Sequence, residues 1–442
     1  MSTAAHRRPD AALRAGQGRH DRASSGHAAL ADAFLATQAW ERKALLDAGH
    51  EVLGRRPRWL GPVVSAVLGA YREPPADRPR ELAAFVAALG RVPHRTRVVV
   101  RRAVPTRTVR MRWDTPRLDD LAALADFLDL DGDRLDWFAD RREINRLARD
   151  QALRHYRCTW LPHRLIEAPK PRLRAVQRRL LDEVLGRLPV HPAAHGFVPG
   201  RDVRTFTQVH LGQHTVVRLD LAAFFSSVTV SRVYGLFRTA GYPEPVAHTL
   251  AALCTTRTPA DVLRCAPSPA LAALLRQPHL PQGAPTSPAL ANLCAFRLDR
   301  RLSGLARSFA VRYSRYADDL AFSGTLGAGE ARRLVASVTR LVADEGFRVN
   351  PAKTRIRGRA DRQHLAGLVV NVHAAVPREE YDRLRAILHN AAQVGLAAAN
   401  RDGHPDFAAH LAGRIAWVGR SHPSRAAKLS ALFAALHLPS AR

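Results

Sequence analysis

Apolar residues along this chain recur at helical spacing near both ends and in short strand-like runs between. From 31 to 71 the spacing is helical, up to the linker "REPPADRP". "DTPRLDDLAALADFLDL" follows, with Thr-Pro at a helix start and apolar residues at i, i+3 and i+4. From about 151 the texture changes to runs broken by Pro and Gly: "GFVPGRDV", "HTVVRLDLAAFFSS", "LPQGAPTSPALANL", "VRYSRYADDLAFSG" and "AGLVVNVHAAV". Helical patterns lie among them, which predicts an α+β section. After Pro377 the helical period returns in three stripes: Tyr381, Leu384, Leu388 and Ala391; Phe407, Leu411, Ile415 and Val418; Leu429, Leu432, Phe433 and Leu436.

Charge then narrows the partner. A formal net charge of +29 over 442 residues points to nucleic acid, with an anionic membrane surface as runner-up. No apolar run approaches the ~18 residues a spanning helix needs, which weighs against the membrane. The polar, basic start of the chain is expected to be a disordered arm over 1–30 on a cytoplasmic protein. Between 82 and 113 there is no acid, while Arg91, Arg95, Arg97, Arg101, Arg102, Arg107, Arg110 and Arg112 crowd together; phosphate binding competes here with a solvated basic face. Cys158, Cys254, Cys265 and Cys294 have no CxxC spacing and indicate neither disulfides nor zinc. The acids Asp129, Asp131, Asp133 and Asp136 do not make a calcium loop, because Arg134 stands where such a loop needs glycine.

The informative acids are elsewhere. In "YSRYADDLAFSG" the adjacent Asp318 and Asp319 interrupt what reads as a hairpin, although like charges repel and acids are poor strand formers. A third acid, Asp220, ends the apolar run "VVRLD" and precedes Phe224 and Phe225. If the run and the hairpin share a sheet, the carboxylates converge and require cations between them. Hard oxygen donors of this kind suit Mg²⁺, and two such ions would clamp an in-line phosphoryl transfer. A single acid pair could instead be a solvated turn.

"YADD" in a strand–turn–strand, with "LDLAAFF" and "LPQGAPTSPALANL" before it, resembles a bacterial reverse transcriptase of the retron type. The likeness extends from about His155 through "LIEAPKP", "HGFVPGRDV", "NPAKTRI" and "AGLVVN" to the C-terminus. It implies a right-hand polymerase: fingers and palm over 146–375, a helical thumb over 376–442, and a basic, mainly helical extension over 31–145. It implies that Asp220, Asp318 and Asp319 are catalytic and hold two Mg²⁺ ions. By the same likeness Phe225 excludes a ribose 2′-hydroxyl, Gln282 and Gly283 line the nucleotide pocket, and Lys353 lies near the triphosphate. Tyr316 would support the turn and the primer end. Arg164, Lys170, Arg172, His210, Arg414 and Arg420 are its candidates for RNA contact. The implied partners are a cognate structured non-coding RNA as template and primer, deoxynucleotides, the DNA product (msDNA, in anti-phage defence) and an accessory effector protein.

The chain departs from the retron pattern in places. Phe206 and Thr207 stand where an Asn-Ala pair is usual before the histidine, here His210, and Leu365-Ala366-Gly367 replaces Val-Thr-Gly. "LPH" between "HYRCTW" and "RLIEAPKP" is short. Another defence-associated or group II intron-like reverse transcriptase, or an inactive RNA-binding scaffold, therefore stands as an alternative.

Overall fold

A computed structural model describes residues 26–93, 96–100, 108 and 110–436. Most of the expected arm, and Arg95, Arg101, Arg102 and Arg107 of the basic stretch, lie outside them. Residues 26–30, expected in the arm, already belong to the helix Gly26–Leu35, because Leu30 is buried with Phe34 against the helices that follow. Strands and helices mix along the chain, so the α+β expectation holds.

The described residues form two compact units. One comprises the residues up to 188 with 229–266 and 275–285; the other comprises 189–228, 267–274 and 286 onward. The boundaries expected at 145/146 and 375/376 each fall inside a unit. The first has a physical reason. The Asp77 carboxylate accepts from Arg238 at 2.7 Å, and Glu244 accepts from the Arg80 N–H at 2.8 Å, so the early helices join later ones.

In the first unit Leu30, Phe34, Leu45, Leu60, Val64 and Leu82 make an all-helical core. Past it, β1 (Tyr156–Leu161) and β2 (Arg164–Pro169) pair as an antiparallel hairpin across "PH". The acids at 129–136 serve helix ends: Asp131 caps Gly132–Ala139 and Asp129 closes Leu121–Leu128, as an ordinary inter-helix loop requires.

The second unit is built on a four-stranded sheet. β3 is Thr215–Asp220, β4 is Arg312–Tyr316, β5 is Asp319–Gly324 and β6 is Arg355–Gly358, in the order β4-β5-β3-β6. All three pairings are antiparallel. A short pair, β7 (His364–Leu365) and β8 (Leu368–Val369), precedes the C-terminal helices Arg378–Val394, Phe407–Gly419 and Pro423–Ala435. Their stripes meet in one core of Leu384, Leu388, Leu411, Ile415, Val418 and Leu429, except that Leu432 of the third stripe is exposed. Two strand-like readings fail. "GFVPGRDV" is turn up to the helix Val203–Gln208, and the end of "LPQGAPTSPALANL" is the helix Ser287–Cys294, started by Pro288 in its first turn.

Candidate active site

β3 and β5 bring the acids together. In their ladder Asp220 faces Asp319, so the two side chains leave the same face of the sheet. Asp318 sits in the two-residue turn, and its carbonyl accepts from the Leu221 N–H at 2.9 Å. The hairpin therefore turns on Ala317-Asp318, with Asp319 already paired to Tyr316. Ala317 has φ 55°, the left-handed conformation such a tight loop requires and alanine rarely adopts.

What holds that turn is a buried cation. The Arg315 side chain is fully buried and donates to both oxygens of Asp299 at 2.8 and 2.7 Å, to Asn292 Oδ1 at 2.8 Å and to the Ala317 carbonyl at 3.0 Å. Tyr313 donates to the same Asp299 at 2.8 Å. Neither Arg315 nor Asp299 was singled out from sequence. The signal available was weak, since β4 reads Arg-Tyr-Ser-Arg-Tyr and only burial shows that its second arginine must find a carboxylate.

Each outer acid has a cation partner. Arg218, two residues before Asp220 on β3, gives Asp319 Oδ1 two hydrogen bonds of 2.9 and 2.7 Å. Lys353 donates to Asp220 Oδ1 at 2.9 Å. It reaches there because the Asn350 N–H binds the Asp220 carbonyl at 2.8 Å, and the Asn350 side chain caps the turn Pro351–Lys353. Hydrogen bonding to Asp220 and attraction to the acids raise the Lys353 pKa. Burial raises Asp318, helped by the charges of Asp220 and Asp319. Burial also raises Asp319, against the lowering effect of Arg218.

Among the described residues no group of three or more His, Cys, Asp or Glu side chains converges as a ready cage for a metal. The donor set still fits a hard divalent cation. Three carboxylates share a small area, the ionised forms of Asp318 and Asp319 are disfavoured there, and a protein ammonium already sits on Asp220.

The two phenylalanines after Asp220 separate. Phe224 is buried, 4% exposed, while Phe225 is half-buried. In the first unit Gln282 and Gly283 are bound to β2, where the Glu167 N–H donates to the Gln282 carbonyl at 2.8 Å. Gly283 has φ 129° and lies so close that a Cβ there would come within 3.1 Å of the Glu167 carbonyl oxygen. A buried clasp, unforeseen from sequence, fixes that approach: Glu167 accepts from Thr258 Oγ1 at 2.7 Å and binds His279 Nε2 at 2.8 Å. Burial pulls the His279 pKa down, but the Glu167 carboxylate outweighs it and the net direction is up.

Of the RNA-contact candidates, His210 is corrected. It is fully buried, its ring nitrogens bind Ser323 and Ser314 at 2.6 and 2.7 Å, and burial takes its pKa down to about 3. It is a neutral core residue and cannot reach a nucleic acid. Beside it Phe206 packs with Leu365 in one apolar cluster, so the departures at both positions meet in the core. Lys170 donates to the carbonyls of Gln151 and Ala152 at 2.8 and 2.9 Å, while Arg164 and Arg172 are exposed. Arg414 pairs with Glu380 at 2.6 Å, and Arg420 pairs with Asp202 at 2.9 Å.

Residues 162–369 match the family described as reverse transcriptase (RNA-dependent DNA polymerase), which implies a polymerase palm-type fold. The Retron Mx65 reverse transcriptase of Myxococcus xanthus is 44% identical over 291 residues, 63% of this chain and 64% of that protein. The Retron Mx162 reverse transcriptase of the same organism is 39% identical over 344 residues, 73% of this chain and 68% of that protein. The Retron Ec86 reverse transcriptase of Escherichia coli is 31% identical over 231 residues, 51% of this chain and 65% of that protein. The chain thus spans about two thirds of the length of these relatives. With the acids paired across β3 and β5 and these likenesses beside them, the chain belongs to the retron-type reverse transcriptases.

Proposed function

We propose that this chain is an RNA-directed DNA polymerase that copies a structured cognate RNA into DNA. The observation that carries the reading is the ladder pair Asp220–Asp319 with Asp318 in the adjoining turn. In this reading 146–375 act as fingers and palm and 376–442 as thumb. Asp220, Asp318 and Asp319 would hold two Mg²⁺ ions, which when bound lower the pKa of the attacking hydroxyl and offset charge on the leaving oxygens. The protein's own groups orient the reactants. Arg315 fixes the turn that presents Asp318, Arg218 fixes Asp319, and Lys353 supplies a positive charge that a triphosphate can share. Phe225, the more exposed of its pair, would exclude a ribose 2′-hydroxyl.

The retron assignment extends to an RNA that serves as template and primer, to msDNA as product, to a role in anti-phage defence with an effector partner, and to action in the cytoplasm. Among the described residues no helix is long and apolar enough to cross a membrane. The test is primer extension on an RNA template with Mg²⁺. Asp318→Asn and Asp220→Asn should abolish extension while RNA binding persists. Near-normal extension by either variant would overturn the reading of the acids. Phe225→Ala should raise ribonucleotide incorporation, and an unchanged sugar preference would remove that role.

A further inference from the structure

Besides the half-buried Phe225, an exposed aromatic residue stands next to the hairpin that carries the acids. Phe197, in "HGFVPGR", is 51% exposed, yet its backbone is strained. Its φ of 59° lies in the left-handed region, where a bulky residue is a genuine outlier. The preceding segment is locked against β4: the His195 N–H donates to the Arg315 carbonyl and the Arg315 N–H to the Ala193 carbonyl, each at 2.7 Å. The Gly196 carbonyl accepts from Asn292 Nδ2 at 2.7 Å, and a Cβ at Gly196 would come within 2.6 Å of the Ala317 nitrogen. On the far side Arg201 donates to the carbonyls of Pro192 and Ala194 at 3.0 and 2.6 Å.

This bracing directs an apolar ring outward next to the acids. The Phe197 ring centroid is 6.2 Å from that of Phe225 and 6.5 Å from that of Tyr316. Two more non-glycine residues with positive φ adjoin the same place: Ala223 at 49°, two positions before Phe225, and Ala317 at 55°, immediately before Asp318. Strained backbone held by its surroundings, with an exposed aromatic at its tip, is a pattern of ligand sites rather than of cores. A surface with no ligand would be relieved by glycine or asparagine at position 197, without exposing a ring.

We propose that Phe197, with Phe225 and Tyr316, forms an aromatic wall that stacks on a nucleotide beside the carboxylates. The ligand chemistry is the flat apolar face of a nucleobase with its sugar. It could come from the incoming deoxynucleotide or from the templating strand. The inference rests on the reading of the acids as a nucleotidyl-transfer centre.

The test uses the full chain with Phe197→Ala, Phe197→Gly and Phe197→Tyr on an RNA template annealed to a DNA primer. Stacking of one base on an aromatic side chain predicts a loss of about tenfold or more in affinity for Phe197→Ala and Phe197→Gly. Phe197→Tyr should retain affinity. A raised KM for deoxynucleotide with unchanged duplex affinity assigns the wall to the incoming nucleotide. Weaker duplex binding, read from 2-aminopurine at the templating position, assigns it to the template. Phe197→Gly separates binding from folding, because it suits the left-handed backbone: its thermal midpoint should equal or exceed wild type while affinity falls. Duplex and nucleotide binding are also measured in an Asp318→Asn background, so failure of the chemistry is seen apart from failure of the wall. Wild-type KM and duplex affinity in Phe197→Gly would overturn the proposal.

Discussion

In the β4–β5 hairpin Arg315 is fully buried and bonded to Asp299, Asn292 and Ala317, whereas Arg383 and Lys428 on the C-terminal helices and Arg401 in a turn between them stand exposed in solvent. The same kind of charge does two different jobs. Inside, the cation is held by several partners at fixed distances, and removing either member of the Arg315–Asp299 pair strands the other's charge in a low-dielectric interior. Outside, charges act additively and through salt, and each matters little alone. Position in the hairpin is thus specific, while charge at the exposed cations is cumulative.

That contrast can be broken most severely at the acids. Asp318→Asn should lower extension by about 10³-fold or more with RNA affinity retained, measured by single-turnover extension beside filter binding. Next comes the network beneath the turn. Arg315→Met should cost about 3–5 kcal/mol in denaturant unfolding, because Asp299 remains as a buried unpaired charge. Arg315→Met combined with Asp299→Leu should recover part of that loss, and an uncoupled double variant would refute the pairing. At these exposed cations the expected effects are smaller. Changing Arg383, Arg401 and Lys428 together to Ala should flatten the salt dependence of RNA affinity by ~0.7–0.9 for each phosphate no longer neutralised, with stability near wild type. A slope that does not move would shift attention to Arg91, Arg97, Arg110 and Arg112.

The smallest effect concerns pH at the Glu167–His279 clasp. A raised His279 pKa in the folded state means its contribution is fully present below the ordinary histidine value and is lost as pH rises through the folded value. The stability difference between wild type and His279→Gln should therefore be greatest in mild acid and shrink toward alkaline pH. A difference that grows with pH would reverse the assignment.

The acids were legible from sequence because they violate local rule: carboxylates at strand ends beside aromatic residues need an external reason. Phe224 and Phe225 could be told apart only in part, since neighbours on a bent segment do not follow strand alternation. The C-terminal stripes were legible because helical period survives in any context. His210 was misread because its partners, Ser314 and Ser323, are over a hundred positions away and look like ordinary strand polar residues. Arg315–Asp299 hid because Asp299 reads as one more charged residue of the arginine-rich helix Phe296–Ser308, and the left-handed Phe197 hid because its side chain argues against that backbone. Unit boundaries escaped because each unit is assembled from separated stretches of chain.

The ion pairs Lys353–Asp220 and Arg218–Asp319 have a practical corollary. If the acids hold Mg²⁺ as proposed, the site carries its own counter-charge, and stripping the ions with a chelator should not drive the acids apart. The thermal midpoint in excess chelator should stay within a few degrees of that in Mg²⁺. DNA synthesis halted by chelation should then resume on re-addition at its former rate, which gives a reversible stop for trapping a partly copied template.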